Sequence, residues 1–522
     1  MSEEAQAWKP KYNPWLVAMT VTLATFMEVL DSSIANVALP HIAGSLGASQ
    51  DESTWVLTSY LVSNAIILPA SAWLATVMGR KRFYMLCVAT FTVSSMLCGF
   101  ALSLPMLIFF RILQGAGGGG MGPSEQAILA DTFPPAKRGM GFAVYGMAVV
   151  VAPAIGPTLG GWITDNFDWR WIFFINIPIG LLSLFLTNRV VEDPPYMAGK
   201  GVGLRMDGVG LALLTVGIGL LQVVLDKGQQ EDWFGSTYIT VFFAVSMIML
   251  VALVFWEWHH PEPVLELRLM KNRNFAFSIG FNFILGAVLY GTTVLVPQFL
   301  QIMMGYSAQQ AGMALSPGGL AMMIAMPVAA LLLKKMDPRW MISLGFLVTA
   351  AALYNMTHLS LGVDFWTVVR WRTYQSVGLA FIFLPISLLA YVGIPMSKNN
   401  QISSLSNFAR NLGGGVGVSL LMTFLTRQTQ IHQSNLAAHV TAGSPQFQQL
   451  VGGLGGYMAT QGAGHAQATG AAYGTVMSML MAQASTLAFV NAFWIVAVVV
   501  LCLVPLPFLL KRPAKDAKIP MG

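Results

Sequence analysis

The sequence predicts an all-α, polytopic membrane protein of fourteen spans, built as two six-helix bundles with two further helices inserted between them. Three observations predict it. Of 522 residues, 55% are hydrophobic and only 10% charged, with a mean hydropathy of +0.65, whereas soluble domains carry about 25% charged residues. Apolar runs of roughly 17 to 25 residues, the length that crosses a hydrocarbon core, recur between short polar links from Trp15 to Leu510. Links rich in Lys and Arg alternate with links nearly free of them, as they do when successive links lie on opposite faces of a bilayer.

The spans fall at 15–37, 54–76, 83–102, 105–129, 140–163, 171–188, 207–225, 237–257, 275–297, 311–333, 341–358, 367–394, 404–427 and 486–510. Residues 1–188 form the first bundle, 189–274 the inserted pair with its links, and 275–522 the second bundle with a loop at 428–485. Lys9 and Lys11 precede the first apolar run as in a signal peptide. The run continues through Val37 without a small-residue cleavage pattern, so it reads as a retained span. Cys87, Cys98 and Cys502 all sit in apolar segments, where a thiol acts as a small hydrophobe and no disulfide framework is implied.

Twenty-one of the 28 Lys and Arg lie on one set of links: Lys9/Lys11, Arg80–Arg82, Lys137/Arg138, Arg189/Lys200/Arg205, Arg268/Lys271/Arg273, Lys334/Lys335/Arg339, Lys398 and the tail from Lys511 to Lys518. That bias predicts cytoplasmic N- and C-termini and accounts for the pI of 9.2. Charge spread over many membrane-proximal links, rather than gathered on one face, argues against a nucleic-acid surface. The loop 428–485 holds no Asp, Glu, Lys or Arg. It is expected outside the cell, as either a disordered tether or a docking surface, with a helix at its end running into the last span.

The halves repeat weakly. Arg111-x-x-Gln114 in the fourth span matches Arg372-x-x-Gln375 in the twelfth, and glycine-dense spans suited to close helix approach follow each. Duplicated halves around a central site are a transporter signature.

Charge inside hydrocarbon is costly, about 2.5 to 3.5 kcal/mol per residue on translocon scales, so residues that carry it are functional candidates. They are Glu28, Asp31, Arg111, Glu125, Arg370, Arg372 and Arg410. Glu28 and Asp31 share a face of the first span, as Arg111 and Gln114 do of the fourth. Asp31 and Arg111 have similar depth, both roughly 8 to 9 Å outward of their span centres, and can meet as an ion pair. Glu125 lies about 21 Å deeper than Arg111 and cannot be its partner. A carboxyl in a low-dielectric cavity changes its proton affinity as a cation approaches or leaves, which is what proton coupling requires. Glu28, nearest its span centre, is the first candidate for the proton site and Asp31 the second. The alternatives are that Asp31 is a packing residue bonded to Arg111 and that Glu125 is satisfied near the interface. Arg370 can reach the surface, whereas Arg372 and Arg410 lie deeper and can close gates or pack between halves.

Gly115–Gly120 formally satisfies G-x-G-x-x-G, but it sits mid-span with no preceding strand and reads as close helix packing. No Walker-type phosphate loop is present, which argues against nucleotide hydrolysis. His259 and His260 with Glu257 and Glu262 read as solvated interfacial residues rather than metal ligands. A membrane enzyme or scaffold is disfavoured, since no catalytic polar pair stands outside the charge set.

Residues 30–40 (LDSSIANVALP), 111–115 (RILQG), 152–161 (APAIGPTLGG) and 169–178 (WRWIFFINIP) resemble the fourteen-span drug:proton antiporter family of the major facilitator superfamily, along essentially the whole chain. The resemblance implies the major facilitator fold, with two halves rocking about a cavity lined by spans 1, 4, 9 and 12. It implies proton-driven export of hydrophobic or cationic drugs across a bacterial inner membrane, with no cofactor. A periplasmic adaptor protein and an outer-membrane channel are the expected partners. A solute importer of the same fold is the alternative. Asp31 falls in the first-span motif, and Arg111 and Gln114 in the fourth-span motif associated with proton coupling. Gly156, Pro157, Gly160 and Gly161 fall in the antiporter motif, which here opens with Ala152 instead of glycine. Gly79 and Arg80 belong to the gating motif at 72–82, where Thr76 replaces the usual acid. By position, Met27, Gln114, Asn282, Tyr290 and Gln375 are the candidate cavity residues.

Overall fold

The computed structural model describes residues 10–134, 137–194, 207–333, 335–440, 444–460 and 465–510. Lys9, Lys200, Arg205, Lys334 and the basic tail from Lys511 lie outside them. The described residues form helices α1 (Pro14–Leu46), α2 (Gln50–Ser53), α3 (Trp55–Met78), α4 (Arg80–Gly99), α5 (Leu104–Gly118), α6 (Met121–Thr132), α7 (Arg138–Asn166), α8 (Trp171–Phe174), α9 (Asn176–Val190), α10 (Gly208–Lys227), α11 (Thr237–His259), α12 (Arg273–Ile302), α13 (Ala308–Leu332), α14 (Pro338–Asn355), α15 (Phe365–Leu389), α16 (Asn399–Ala437), α17 (Pro445–Thr460) and α18 (His465–Cys502). No strand occurs among them.

Local chemistry sets many of the starts. Asn13 and Asp337 cap helices that open with Pro14 and Pro338, whose fixed φ and missing N–H suit a first turn. Ser307 closes a capping box with Gln310 at the head of α13. Between α3 and α4 the chain turns at Gly79, whose φ of +85° is one that L side chains rarely adopt.

Twelve helical segments among the described residues are long and apolar enough to cross a membrane. The α7 segment, bent by 41° near Pro153, makes a thirteenth. The expected fourth span, 105–129, is instead two helices, α5 and α6, interrupted at Gly119 and Gly120. Four consecutive glycines and then Pro123, which has no N–H to give the preceding turn, explain the break. A second difference concerns 428–485. It is no tether: α16 continues to Ala437, α17 follows, and α18 begins at His465, so the described part of this segment is mostly helical. The 39 residues of α16, at about 1.5 Å each, exceed a hydrocarbon core of about 30 Å.

Helices α1 to α9 pack mainly among themselves, as do α12 to α18. The two sets meet where α7 packs on α13 and where α16 packs on α3 and α6. The inserted α10 lies against both α3 and α16. Ser419 Oγ donates to the Leu225 carbonyl at 2.7 Å, Trp233 Nε1 donates to Thr423 Oγ1 at 3.0 Å, and Asp226 accepts from Thr58.

Close helix contact depends on missing side chains. A Cβ on Gly286 of α12 would stand 1.9 Å from the Arg410 carbonyl oxygen, and one on Gly413 of α16 at 1.9 Å from the Phe283 carbonyl oxygen. Backbone cannot yield there as a flexible side chain can. Gly286→Ala is therefore expected to abolish the monodisperse peak of detergent-extracted protein in size-exclusion chromatography. Gly280→Ala, on the same helix but with nothing within 4 Å of the added carbon, is expected to preserve it. Equal peaks would contradict this packing.

Candidate functional site

Asp31 and Arg111 meet as the sequence suggested. Arg111 Nη1 donates to Asp31 Oδ2 at 2.7 Å and to Gln114 Oε1 at 2.8 Å, and Gln114 Nε2 donates to Asp31 Oδ1 at 3.0 Å. Asn176 Nδ2 adds a third donor to this carboxylate at 2.6 Å. Arg111 Nε donates to the Val56 carbonyl at 3.0 Å, and the guanidinium carbon lies 4.3 Å from the centre of the Tyr60 ring. Both charged residues are almost wholly buried. Coulombic attraction in a low dielectric, with donors filling the remaining lone pairs, is what a buried pair needs to offset desolvation.

Glu28, one turn before Asp31, faces α3 instead. Its Oε1 accepts from Tyr60 Oη at 3.2 Å and Asn64 Nδ2 at 3.1 Å. No cation stands within ion-pair distance of it among the described residues. It lines a central cavity with Asn64, Tyr145, Tyr290, Asn407 and Arg410, residues drawn from both helix sets. The glycine run closes one wall of this cavity. A Cβ on Gly119 would meet the Asn64 carbonyl oxygen at 2.6 Å, and one on Gly118 the Tyr60 hydroxyl at 2.7 Å. Glu125 is fully buried on α6, with Oε1 accepting from Thr22 Oγ1 at 2.5 Å and Oε2 taking no partner among the described residues.

The hydrogen-bond pattern around Arg111 recurs in the second helix set with one change. Arg372 Nη1 donates to Gln375 Oε1 at 2.7 Å and to Thr292 Oγ1 at 2.8 Å, while Gln375 Nε2 donates to Thr292 Oγ1 at 2.8 Å. Thr292 on α12 thus takes the place that Asp31 holds on α1, and the second cluster has no acid.

At the basic end of the molecule Arg80 bridges the sets. It pairs with Asp131, and its Nε donates to Asn400 Oδ1 at 2.8 Å; Asn399 Nδ2 donates to Asp131 Oδ1 at 2.6 Å. The acid beside Arg80 is thus Asp131, while the Thr76 hydroxyl bonds back to the Ala72 carbonyl of its own helix. Gly156 and Gly160 seat α7 against Ser33 and Ile34 of α1, and Gly161 looks toward Gln309 of α13. On the side away from the basic end, Pro157 and Thr158 lie against Gly312. The sets thus touch on both sides of the cavity.

Of the five expected cavity residues, Tyr290 lines the cavity. Met27 is packed in the apolar core, and Asn282 donates to the Ser278 carbonyl one turn back on its own helix. Gln114 and Gln375 belong to the two arginine clusters. The sequence reading missed Tyr60, Asn64, Asn176, Tyr145, Asn407 and Asp131. Polar pairs one turn apart in apolar spans, Tyr60 with Asn64 and Asn407 with Arg410, were the available signal. Among the described residues, no cluster of His, Cys, Asp and Glu could hold a metal.

Removing Arg111 alone strands a buried carboxylate, at a cost of about 3 to 5 kcal/mol for such pairs. Arg111→Gln is expected to unfold at a clearly lower temperature in detergent, and Asp31→Asn combined with Arg111→Gln at a higher temperature than Arg111→Gln alone. A double variant no more stable than the single would show that the pair is not coupled.

Residues 21–418 match the profile of the Major Facilitator Superfamily. The chain is 40% identical over 442 residues to the "Probable multidrug resistance protein EmrY" of Escherichia coli strain K12, covering 83% of this chain and 84% of that one. It is 37% identical over 511 residues to the "Multidrug export protein EmrB" of the same strain, covering 97% and 98%. The solved structure of the proton:xylose symporter XylE is similar in fold, with a TM-score of 0.58 at 13% identity, over 94% of this chain and 96% of that one. A multi-pass helical chain with a polar cavity at the seam of two helix sets and this sequence likeness belongs to the major facilitator superfamily.

Proposed function

We propose that the chain is a transporter, not an enzyme, that exports hydrophobic or cationic drugs from the cytosol across the inner membrane in exchange for protons. Residues 1–188 and 275–522 act as rocking halves, with 189–274 as the inserted pair and both termini cytoplasmic. The multidrug names of its relatives support the substrate class. The basic links at the Arg80 end support the orientation.

One observation carries the coupling. Glu28 stands on the cavity wall held only by the neutral donors Tyr60 and Asn64, so it can take or release a proton without breaking an ion pair. Asp31 is held by three donor residues, Arg111, Gln114 and Asn176, and positions α1 against α5. A cationic drug near Glu28 favours the ionised carboxylate, and a proton displaces the drug; the two compete for one site. Glu125, held by Thr22, is a second proton acceptor on the path toward the basic end. Arg80, Asp131, Asn399 and Asn400 close that end in the state seen here and must part for substrate to enter.

The helical extension formed by the ends of α16 and α18 with α17 supports a partner. Lying opposite the basic end, it would face a periplasmic adaptor protein that joins the pump to an outer-membrane channel.

Uptake of a cationic dye from the medium into energised inverted vesicles, whose outer face is the cytoplasmic one, tests the coupling. Glu28→Gln, at equal expression, is expected to reduce pH-gradient-driven transport to the level of vesicles lacking the protein. Glu125→Gln is expected to slow it. Normal gradient-driven transport by Glu28→Gln would overturn the assignment.

A further inference from the structure

Thr22, Thr25 and Glu28 follow one another at three-residue intervals on α1, so they neighbour each other on one face, each about 4.5 Å further from the basic end than the last. Glu28 stands in the central cavity, and the Thr22 hydroxyl donates to Glu125 Oε1. Thr25, between them, touches both surroundings. It lines the cavity with Glu28, and across the contact of α1 with α6 its hydroxyl is turned toward the Glu125 carboxyl.

A threonine inside a helix ordinarily spends its hydroxyl on the carbonyl one turn back. Thr20 does so toward Leu16 at 2.8 Å, as do Thr76 toward Ala72 and Thr292 toward Val288. Thr25 does not. Its Oγ1 is buried and closes no hydrogen bond among the described residues in this state, and the same holds for Glu125 Oε2. Buried polar atoms left open are costly, and here the two stand on facing helices, one beside the cavity and one behind it. A hydroxyl both accepts and donates, so one placed between two carboxyls can pass a proton without itself holding charge. Of the other groups that face these carboxyls, Asp31 is paired with Arg111, and Arg410 stands outside ion-pair distance. Tyr60, Tyr84, Cys87, Tyr145 and Tyr290 carry side chains of types that are neutral near pH 7.

We propose that Thr25 is a proton-relay residue linking Glu28 in the cavity to Glu125 on the way to the basic end. The proton of the Glu28 carboxyl passes, directly or through one water, to Thr25 Oγ1 as the hydrogen already there moves to Glu125 Oε2. One O–H bond forms and one breaks at the hydroxyl, Glu28 is left ionised and Glu125 neutral. The relay rests on the proton-exchange reading and gives the proton a path distinct from that of the drug.

The test compares two initial rates in inverted vesicles. One is pH-gradient-driven uptake of a cationic dye; the other is exchange of labelled for unlabelled dye at equal pH on both sides, which moves no net proton. The ratio of the first to the second reads the proton step apart from folding and dye binding. Thr25→Val, which keeps the shape and removes the hydroxyl, is expected to lower the ratio about tenfold or more. Thr25→Ala makes the same comparison if Thr25→Val does not fold. Thr25→Ser, which keeps the hydroxyl, is expected to restore most of the ratio. Joining Thr25→Val to Glu125→Gln is expected to lower it no further than Glu125→Gln alone, since both act on one path. An unchanged ratio in the folded Thr25→Val or Thr25→Ala protein would overturn the relay. So would a Thr25→Ser ratio as low as theirs, or a further fall in the double variant. These outcomes, with native uptake intact, sink the relay alone, whereas absence of gradient-driven uptake by the native protein would sink the proton-exchange reading and the relay with it.

Discussion

A charge placed within about 30 Å of hydrocarbon must find its counter-charge or its hydrogen-bond partners inside the protein, because lipid offers neither. The ion pair between Asp31 and Arg111 is the clearest case. It ties α1 to α5, draws Gln114 and Asn176 into the same network, and stacks Arg111 on Tyr60. Tyr60 then turns its hydroxyl to Glu28. The coupling candidate is thus held in place through the pair next to it.

The same constraint separates charges that are paired within the protein from those that, among the described residues, are not. Arg80 and Asp131 neutralise each other where the halves meet, and Asp31 and Arg111 do so within one half. Glu28, Glu125, Arg372 and Arg410 have no such closure. Groups buried without a counter-ion are retained at a cost; Glu28 and Arg410 line the central cavity between the helix sets, Arg372 lines a smaller one between them, and Glu125 is enclosed within the first set beside Thr22. Glycine makes the arrangement possible, because α5 and α6 can approach α3, and α16 can approach α12, only where no Cβ intervenes.

The helical class and most spans were legible from apolar run length, since bilayer thickness fixes the minimum length of a crossing helix. The Asp31–Arg111 contact was legible from depth and helical face alone. The break at Gly119 and Gly120 was not, because hydropathy does not register backbone freedom. The helix that closes 428–485 was expected, as α18 bears out, whereas α17 was overlooked although Phe447, Val451 and Leu454 stand at helical spacing among its small and polar residues. Asp131 was missed because it lies near a span end, where an acid needs no explanation until its partner is known. The cavity list fared worst: facing a neighbour and facing a cavity give the same helical periodicity, so Met27 and Tyr290 could not be told apart before the packing was known.

Proton release on drug binding measures the competition at Glu28 most directly. When a cationic drug is added to purified protein in lightly buffered detergent solution with a pH-indicating dye, native protein should release protons in step with binding. Glu28→Gln should bind without release. Binding by the native protein with no proton release, or unchanged release from Glu28→Gln, would contradict the account.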